Sequence, residues 1–384
     1  MEIHVNAPQP ELARRMANAI RMLAVDAVDA VLAEIGPATI RLVAHHSHPI
    51  PDPLRDDLIR LCTPGAQSCD VLDLLGAADR WFGELLADAA AALLARASFP
   101  AASVVAIGSH GQTVRHRPPG GPVPHPFSLQ IGDPNVLAAR SGIPVVADFR
   151  RRDLALGGQG APLVPPFHQA AFAHADRVRA IVNVGGIANL TLLTPGEAVV
   201  GFDIGPGNGL MDAWVQRHLR LPFDDRGHWA ASGEPDPALL KRLQAHPFFA
   251  CPPPKSTGRE DFHLAWLDGE LARSDPLAPG TVQATLLELT ATGIAAAVKG
   301  LSPTVRELYL GGGGPYNGAL LNRLHALLPR LVVGTTAALG LAPEWVEAVA
   351  FAWLARATLL GQPGNLPAVT GAARATVLGA LYPV

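Results

Sequence analysis

The chain has 384 residues, of which 49% are hydrophobic and 16% charged, and this length suits two domains with sizeable cores. Gly and Pro together account for about 19% of the chain, below the roughly 25–30% that marks low-complexity sequences. With a formal net charge of −3, these values exclude a disordered protein, a coiled coil, a collagen and a strongly basic nucleic-acid coat.

The three cysteines are scattered and form no CxxC pair, so the sequence predicts neither a disulfide framework nor a cysteine zinc site. No run of 18 apolar residues is free of charge, which argues against a membrane-spanning helix. Arg14 and Arg15 precede an apolar stretch, but Arg21 and Asp26 interrupt it and make it a poor signal peptide. We therefore expect a cytoplasmic protein with neither a membrane nor a nucleic acid as partner.

The predicted elements alternate between helices and strands along the chain. Hydrophobic spacing predicts an amphipathic helix over 9–23 and further helices over 53–62, 70–97, 209–218, 282–299, 318–328 and 344–360. Short β-branched runs predict buried strands over 103–107, 143–147, 178–184, 199–204 and 308–310. This alternation indicates an α/β protein, and no internal repeat is visible in the sequence.

Two glycine-rich turns could approach a ligand closely. Gly311–Gly314 follows the last predicted strand and precedes a helix, an arrangement that suits a nucleotide, although a tight turn without a ligand has equal weight. It is not a Walker A loop, because no Gly-Lys-Ser/Thr follows. Gly185 and Gly186 lie between two apolar runs and predict a hairpin. Asn189 and Thr191 beyond it could contact phosphate or metal-bound water, or be structural.

Four other segments each allow a functional and a structural interpretation. Asp203 ends a buried strand and could be a general base, or a carboxylate satisfied by its own turn. Arg150–Arg152 could hold a carboxylate or phosphate, or form a salt-bridged turn. Residues 255–260 could cover a substrate, although their composition favours a solvated surface loop. Glu347 could bind a ligand or lie at a helix edge.

The histidines show no metal-ligand spacing, so a metal-dependent hydrolase has little support and we expect no metal site built from protein side chains.

Taken together and in this order, the motifs resemble the anhydro-N-acetylmuramic acid kinase family, within the wider group of sugar kinases, heat-shock ATPases and actin. The stretches that carry the resemblance spread through most of residues 100–384: IGSHGQTVRH (107–116), LQIGDPNVLAARSGIPVVADFRRRDLALGGQGAPLVPPFH (129–168), VNVGGIANLTLL (182–193), GFDIGPGNGLMDAW (201–214), PKSTGREDF (254–262), QATLLELTA (283–291), LGGGG (310–314), EAVAFAWLA (347–355) and QPGNLPAVTGA (362–372).

The resemblance implies an α/β, two-lobed actin-like ATPase (ribonuclease H-like) fold with a cleft between the lobes. The N-terminal lobe would comprise residues 1–135 with the C-terminal tail 365–384 packing back onto it, and the C-terminal lobe would comprise 136–364. It further implies a homodimer that uses ATP and Mg²⁺, the ion being held by the phosphates and water. The activity implied is opening of 1,6-anhydro-N-acetylmuramic acid with water and phosphorylation of O6, in peptidoglycan recycling.

The site residues follow from matching the motifs residue by residue. The resemblance implies that Asp203 is the base that activates water, and that Arg152, Glu347 and Gln130 contact the sugar. The residues implied for the nucleotide and its phosphates are Asp26, Asn183, Gly185, Gly186, Asn189, Gly205, Gly207, Asn208, Gly311, Gly312 and Gly313.

The chain departs from the family pattern at its first phosphate loop, where the family has Gly-Thr-Ser-x-Asp-Gly after a strand. A gapless comparison places Met22–Ala27 on that loop, so Asp26 is retained while both glycines and both hydroxyls are absent. Met and Ala in place of Gly would obstruct a close approach to phosphate. Two interpretations stay open: an active sugar kinase, or an impaired family member that binds anhydro-sugar or nucleotide without turnover.

Overall fold

The computed structural model describes residues 16–24, 27–37, 39–63, 70–121, 123–258, 261–302 and 304–384. The strands are β1 (Met16–Ala24), β2 (Ala27–Ile35), β3 (Ile40–Pro49), β4 (Val104–Ser109), β5 (Gln112–Arg117), β6 (Phe127–Ile131), β7 (Val145–Ala147), β8 (Arg179–Val184), β9 (Ile187–Leu193), β10 (Val200–Pro206), β11 (Glu307–Gly312), β12 (Val332–Thr335) and β13 (Ala380–Tyr382). The helices are α1 (Asp52–Cys62), α2 (Val71–Ala97), α3 (Pro134–Ser141), α4 (Arg151–Ala155), α5 (Pro165–Phe172), α6 (Gly209–Leu219), α7 (His228–Ala231), α8 (Pro237–Gln244), α9 (Pro247–Ala250), α10 (Leu264–Leu271), α11 (Pro279–Leu301), α12 (Gly318–Leu327), α13 (Val346–Leu359) and α14 (Pro367–Thr370).

Two large sheets have the same topology. The first runs β13-β7-β4-β1-β2-β3 and the second runs β10-β9-β8-β11-β12. In each, three consecutive strands form an antiparallel meander, and two later strands add in parallel on the other side of the first strand. A five-stranded unit of this kind, present twice in one chain, is the ribonuclease H-like arrangement of actin-like ATPases. The predicted fold class is confirmed.

The chain divides into two compact units. The first takes in the described residues up to Ala171 with Glu347–Pro367 and Ala372–Val384, and the second takes in Phe172–Val346 with Ala368–Gly371. This division differs from the boundary expected after residue 135, which falls inside α3. The strand that follows α3, β7, pairs in parallel with β4 of the first sheet, and its other neighbour is β13. Sheet pairing therefore holds 136–171 in the first unit.

The first strand contradicts the helix predicted over 9–23, of which residues 9–15 lie outside the described ranges. Residues Met16–Ala24 form β1, which pairs antiparallel with β2 and parallel with β4. Alanine, methionine and leucine favour a helix locally, but pairing on both sides at the middle of a sheet overrides that preference.

The core of the second unit lies on one face of its sheet. Alternate residues of β8, β9 and β10, such as Val182, Leu190 and Phe202, are buried in the same cluster as Leu286 and Ile294 of α11. Successive residues of a strand point to opposite faces. The residues between these core positions therefore share the other face of the sheet.

Helix α11 is apolar enough, and long enough, to cross a membrane, and no other helix in the described ranges is. Its apolar window has a mean hydropathy of 1.3 and is 72% buried within the protein, which is the behaviour of a core helix. Glu288 on this helix accepts two hydrogen bonds from Arg323 at 2.6 and 2.7 Å.

Two histidines of the first unit are held in the neutral form. Burial lowers the pKa of His168 on α5 to about 3. Burial, reinforced by the charge of Arg150, lowers the pKa of His116 on β5 to about 3. An unfolded histidine titrates near 6.5. As the pH falls from 6.5 towards 3, the unfolded chain therefore binds protons that the folded chain does not, and stability falls.

We expect each of these histidines to lower the free energy of unfolding by about 1 kcal/mol between pH 6 and pH 5. The variant His168→Gln removes one titrating group and should reduce the slope of stability against pH by that amount. Urea unfolding at pH 8, 6 and 5 measures the slope separately from any packing cost, which shifts all three values equally. An unchanged slope would mean that His168 is not buried in the neutral form.

Candidate active site

A row of polar residues crosses the second sheet on the face opposite its core. Asn183 on β8 pairs with Asn189 on β9 and with Gly311 on β11. Asp203 on β10 pairs with Asn189. Directly paired residues point to the same face, and four strands at about 4.8 Å spacing make a row of about 14 Å. The structure thus brings together residues from three separate sequence motifs.

Asp203 is 6% exposed and lies where the register between β10 and β9 shifts. Its Oδ2 accepts a hydrogen bond from Thr257 N at 3.0 Å. A partner outside its own turn, 54 residues along the chain, therefore holds one carboxylate oxygen. A buried carboxylate fixed in this way has the placement that a general base requires.

The segment 252–258 lies beside the end of β10. Asp203 N donates a hydrogen bond to Lys255 O at 3.2 Å. Two residues after Lys255, Thr257 N donates a hydrogen bond to the Asp203 carboxylate. Thr257 Oγ1 also donates to Asp261 Oδ2 at 2.5 Å. The expectation of a solvated surface loop is wrong, because residues 255–258 are partly buried and bonded to the strand that carries Asp203.

Three glycines of the predicted nucleotide site are required by packing. A Cβ on Gly205, whose φ is +142°, would lie 2.7 Å from the Phe249 ring. A Cβ on Gly312, whose φ is +75°, would lie 2.6 Å from Asn183 Oδ1, and one on Gly207 would overlap a carbonyl of the β8–β9 turn. These positions exclude a side chain whether or not a ligand binds.

At other glycines of the same segments a Cβ would make only ordinary van der Waals contacts or slightly tighter ones. The nearest atom to a Cβ on Gly185 would be 3.6 Å away, and that to a Cβ on Gly311 would be 3.7 Å away. Gly313 is tighter, with Asn208 Nδ2 at 3.3 Å. The carbonyl of Gly186 accepts two amide hydrogen bonds, at 3.0 and 3.1 Å, from the turn after β10. Packing within the protein therefore does not require glycine at Gly185 or Gly311.

The turn after β10 is fixed from two sides. Asn208 N donates to Gly185 O at 2.7 Å and its Nδ2 donates to Val184 O at 3.3 Å. On the other side, buried Thr290 of α11 donates to Gly207 O at 3.0 Å. Helix α6 begins directly after Asn208, and its first amide, Gly209 N, donates to Gly186 O at 3.1 Å.

The Asn189 side chain has an unsatisfied acceptor. Its Oδ1 is buried and has no hydrogen-bond partner within the described residues. Such an acceptor costs about 1–3 kcal/mol when nothing donates to it. A ligand or its bound water would remove that cost, which is in keeping with the predicted phosphate role.

In the first unit, two of the three guanidinium groups in the arginine turn (Arg150–Arg152) bind other side chains. Arg150 donates to His110 Nε2 at 2.9 Å, and Arg151 pairs with Asp148 Oδ2 at 2.7 Å. Arg152 is exposed and forms no hydrogen bond or ion pair with any residue that the structure describes. Arg152, the arginine predicted to contact the sugar, is therefore the one of the three whose charge is not paired within the described residues.

Gln130 lies on β6, which is in contact with α4. Its Nε2 donates to Ser128 Oγ at 2.7 Å and to Thr113 Oγ1 at 3.1 Å. These bonds fix the orientation of the amide, and two neighbours on the β5–β6 sheet supply them.

Glu347 is 8% exposed in the first turn of α13, so the interpretation as a residue at a solvated helix edge is wrong. Phe351, one turn later, packs against the His110 ring with 4.7 Å between centroids. Because His110 also accepts a hydrogen bond from Arg150, helix α13 and the arginine turn are joined through His110 and Phe351 inside the first unit.

The predicted Asp26 lies outside the described residues. Within the described ranges, no three His, Cys, Asp or Glu side chains are grouped so that they could hold a metal ion.

Sequence reasoning missed three residues that support the site. Thr257 and Lys255 lie in the motif PKSTGREDF (254–262), but nothing in the sequence indicates that they contact Asp203. Asn365 likewise stands in a noted motif, and it binds the buried Asp153 next to the arginine turn, with Nδ2 2.7 Å from Oδ1. Each contact joins distant parts of the chain.

Comparison with known proteins gives a consistent assignment. The profile of the family described as anhydro-N-acetylmuramic acid kinase matches residues 21–384. A protein of that name from Shewanella pealeana is 51% identical over 361 residues, covering 94% of this chain and 96% of the relative. Another, from Saccharophagus degradans, is 50% identical over 358 residues and covers 93% and 95%.

Among solved structures, component A of (R)-2-hydroxyglutaryl-CoA dehydratase from Acidaminococcus fermentans aligns with a TM-score of 0.44 at 10% identity, over 87% of this chain and 95% of that one. The profile match and the two relatives extend over nearly the whole chain. The chain belongs to the anhydro-N-acetylmuramic acid kinase family.

Proposed function

We propose that this protein is an ATP-dependent sugar kinase of the cytoplasm that opens 1,6-anhydro-N-acetylmuramic acid with water and phosphorylates O6. The product is N-acetylmuramic acid 6-phosphate, formed in peptidoglycan recycling. The observation that carries the proposal is the buried carboxylate of Asp203, at one end of a row of paired residues whose other end is Gly311 on β11. The identity of about 51% with named relatives supports the choice of substrate.

In this proposal Asp203 is the base. Its Oδ2 accepts the hydrogen bond from Thr257 N, which orients the carboxylate for proton transfer from the attacking water. As the water oxygen bonds to the anomeric carbon, the carboxylate takes the proton and the bond from that carbon to O6 breaks. O6 keeps the electron pair and then bonds to the γ-phosphorus, while the bond from phosphorus to ADP breaks.

The second unit is suited to ATP. Packing does not require glycine at Gly185 or Gly311, so a ligand can account for these two glycines, and Asn183, Asn189 and Asn208 carry amide groups on the neighbouring strands and turn. Phosphoryl transfer depends on positioning and charge neutralisation more than on covalent chemistry. Mg²⁺, carried by the phosphates and water, supplies neutralisation when it is bound. The chain's own residues orient the phosphates against the row that ends at Asp203.

We expect Arg152→Met to weaken sugar binding by about 10- to 100-fold, the effect of losing one charge-assisted hydrogen bond. Arg151→Met is the matched control, because Arg151 lies next to it and already pairs with Asp148. Calorimetric titration with the anhydro-sugar measures both. Equal affinities in the two variants would remove Arg152 from the proposed site.

The proposed function is tested by incubating the protein with anhydro-N-acetylmuramic acid, ATP and Mg²⁺ and detecting a ring-opened, phosphorylated sugar by mass spectrometry. Binding of the sugar and of ATP is titrated separately. Turnover is the expected result. Sugar binding without turnover would favour the impaired alternative, and absence of both binding and turnover would contradict the assignment.

A further inference from the structure

The Lys255 side chain, in the segment that is bonded to Asp203, contacts two phenylalanines. Its Nζ donates to Phe248 O at 3.2 Å and lies 4.4 Å from the centre of the Phe248 ring. The ring of Phe202, the residue before Asp203, lies 5.9 Å from the same ammonium. A cation between two aromatic rings is held electrostatically at each face, more strongly where water is partly excluded.

The main chain of the same residue pairs with the proposed base. Asp203 N donates to Lys255 O at 3.2 Å, and Thr257 N donates to Asp203 Oδ2 at 3.0 Å. Lys255 and Thr257 thus hold the backbone and the carboxylate of one residue. Whatever fixes Lys255 fixes the amide that orients the carboxylate.

The Phe248 ring beside the Lys255 ammonium belongs to a cluster of packed aromatic rings. Phe248 packs against Phe262 with 5.7 Å between ring centroids, and Phe249 packs against Phe262 at 5.6 Å. Gly205, two residues after Asp203, lies so close to Phe249 that it has no room for a side chain. The aromatic cluster therefore reaches both the lysine and the strand end that carries the base.

We propose that Lys255 is a positioning residue for Asp203: its ammonium, fixed on Phe248, holds the segment 252–258 so that the Thr257 amide orients the carboxylate towards water. The proposal rests on the proposed function in that Asp203 is taken as the base. Lys255 touches neither sugar nor nucleotide in this role.

The local charges act in the same sense. Burial lowers the pKa of Lys255, while the negative charge of Asp203 opposes that shift. The attraction between the ammonium and the Asp203 carboxylate favours the ionised base, as does the Thr257 hydrogen bond. Loss of Lys255 should therefore leave the base protonated up to a higher pH.

The test compares Lys255→Met, which keeps the length of the side chain but not its charge, with Lys255→Arg and with Lys299→Met. Lys299 is exposed near the end of α11 and serves as the matched control. In Lys255→Met we expect kcat to fall about tenfold or more, with KM for sugar and ATP within about twofold of the starting values. The acid limb of kcat/KM should move to higher pH, and Lys255→Arg should restore most of the loss.

A second readout does not depend on catalysis. Hydrogen–deuterium exchange over residues 252–258 should be faster in Lys255→Met than in the unsubstituted protein and in Lys299→Met. Unchanged exchange and an unchanged pH profile would overturn the proposal. If the unsubstituted protein shows no turnover, the proposed function fails. The exchange measurement alone then tests whether Lys255 holds segment 252–258, and unchanged exchange in Lys255→Met would overturn that role.

Discussion

Replacing Asp203 by Asn should lower kcat by about 10²- to 10⁴-fold, the range over which a positioned general base contributes, while sugar affinity stays within about twofold. The amide keeps one carbonyl oxygen, which can still accept the hydrogen bond that Thr257 N now donates to Oδ2 at 3.0 Å. The substitution therefore removes proton acceptance and preserves the structural contact. Single-turnover kinetics and calorimetric titration of the sugar measure the two effects separately.

Asp268→Asn is the matched control for this substitution. Asp268 lies in the same unit and forms an exposed pair with Arg217, and surface pairs of this kind contribute about 0–1 kcal/mol. It should leave both kcat and binding unchanged. If Asp203→Asn instead weakens sugar binding as strongly as turnover, the carboxylate is a structural or binding group and the assignment as base fails.

The strongly patterned parts of the chain were predictable from sequence. The helix predicted over 70–97 is α2, and the strand predicted over 178–184 is β8, each within a residue or two at its ends. The Gly185-Gly186 hairpin is also confirmed, since β8 and β9 pair antiparallel around it. In these segments local spacing, capping and turn chemistry agree with the tertiary fold.

The errors occur where non-local contacts decide. Residues Met16–Ala24 have helical spacing and become a central strand, because β2 and β4 pair with them on either side. The duplication of the five-stranded unit was not visible either, since topology repeats through the hydrophobic pattern and strand order rather than through identical residues. Sequence analysis can name motifs in order, but cannot reveal that two of them lie side by side.

The candidate site shows the same division. The resemblance assigned Asp203 and Arg152 roles, and those roles stay predictions. A motif alone could not supply the reason for choosing among neighbouring arginines. Arg150 and Arg151 have protein partners, whereas Arg152 has none among the residues that the structure describes. In the same way, the glycines divide into those needed for packing, such as Gly312, and those that leave room, such as Gly311.

Removal of the buried Asp153 side chain should destabilise the first unit. It is fully buried, and its Oδ2 accepts from Gly160 N at 2.8 Å while its Oδ1 accepts from Asn365 Nδ2 at 2.7 Å. Asn365 in turn accepts from Thr376 N at 2.7 Å. One carboxylate thus joins the turn after Arg152 to the C-terminal segment of the chain.

We expect Asp153→Ala to lower the free energy of unfolding by about 3 kcal/mol, because it leaves two buried donors without an acceptor and each costs about 1–3 kcal/mol. Asn365→Ala should cost a similar amount, and the double variant should cost less than the two together, since each single change already breaks the shared bond. Urea unfolding of the three variants gives this coupling energy.

Asp88→Ala, which removes an exposed pair with Arg140, is the control and should change stability by less than about 1 kcal/mol. Because Asp153 adjoins Arg152 in α4, sugar affinity should also fall in Asp153→Ala, whereas ATP affinity should not. Strict additivity of Asp153→Ala and Asn365→Ala would mean that the two side chains act independently. The C-terminal segment would then have no part in holding the arginine turn.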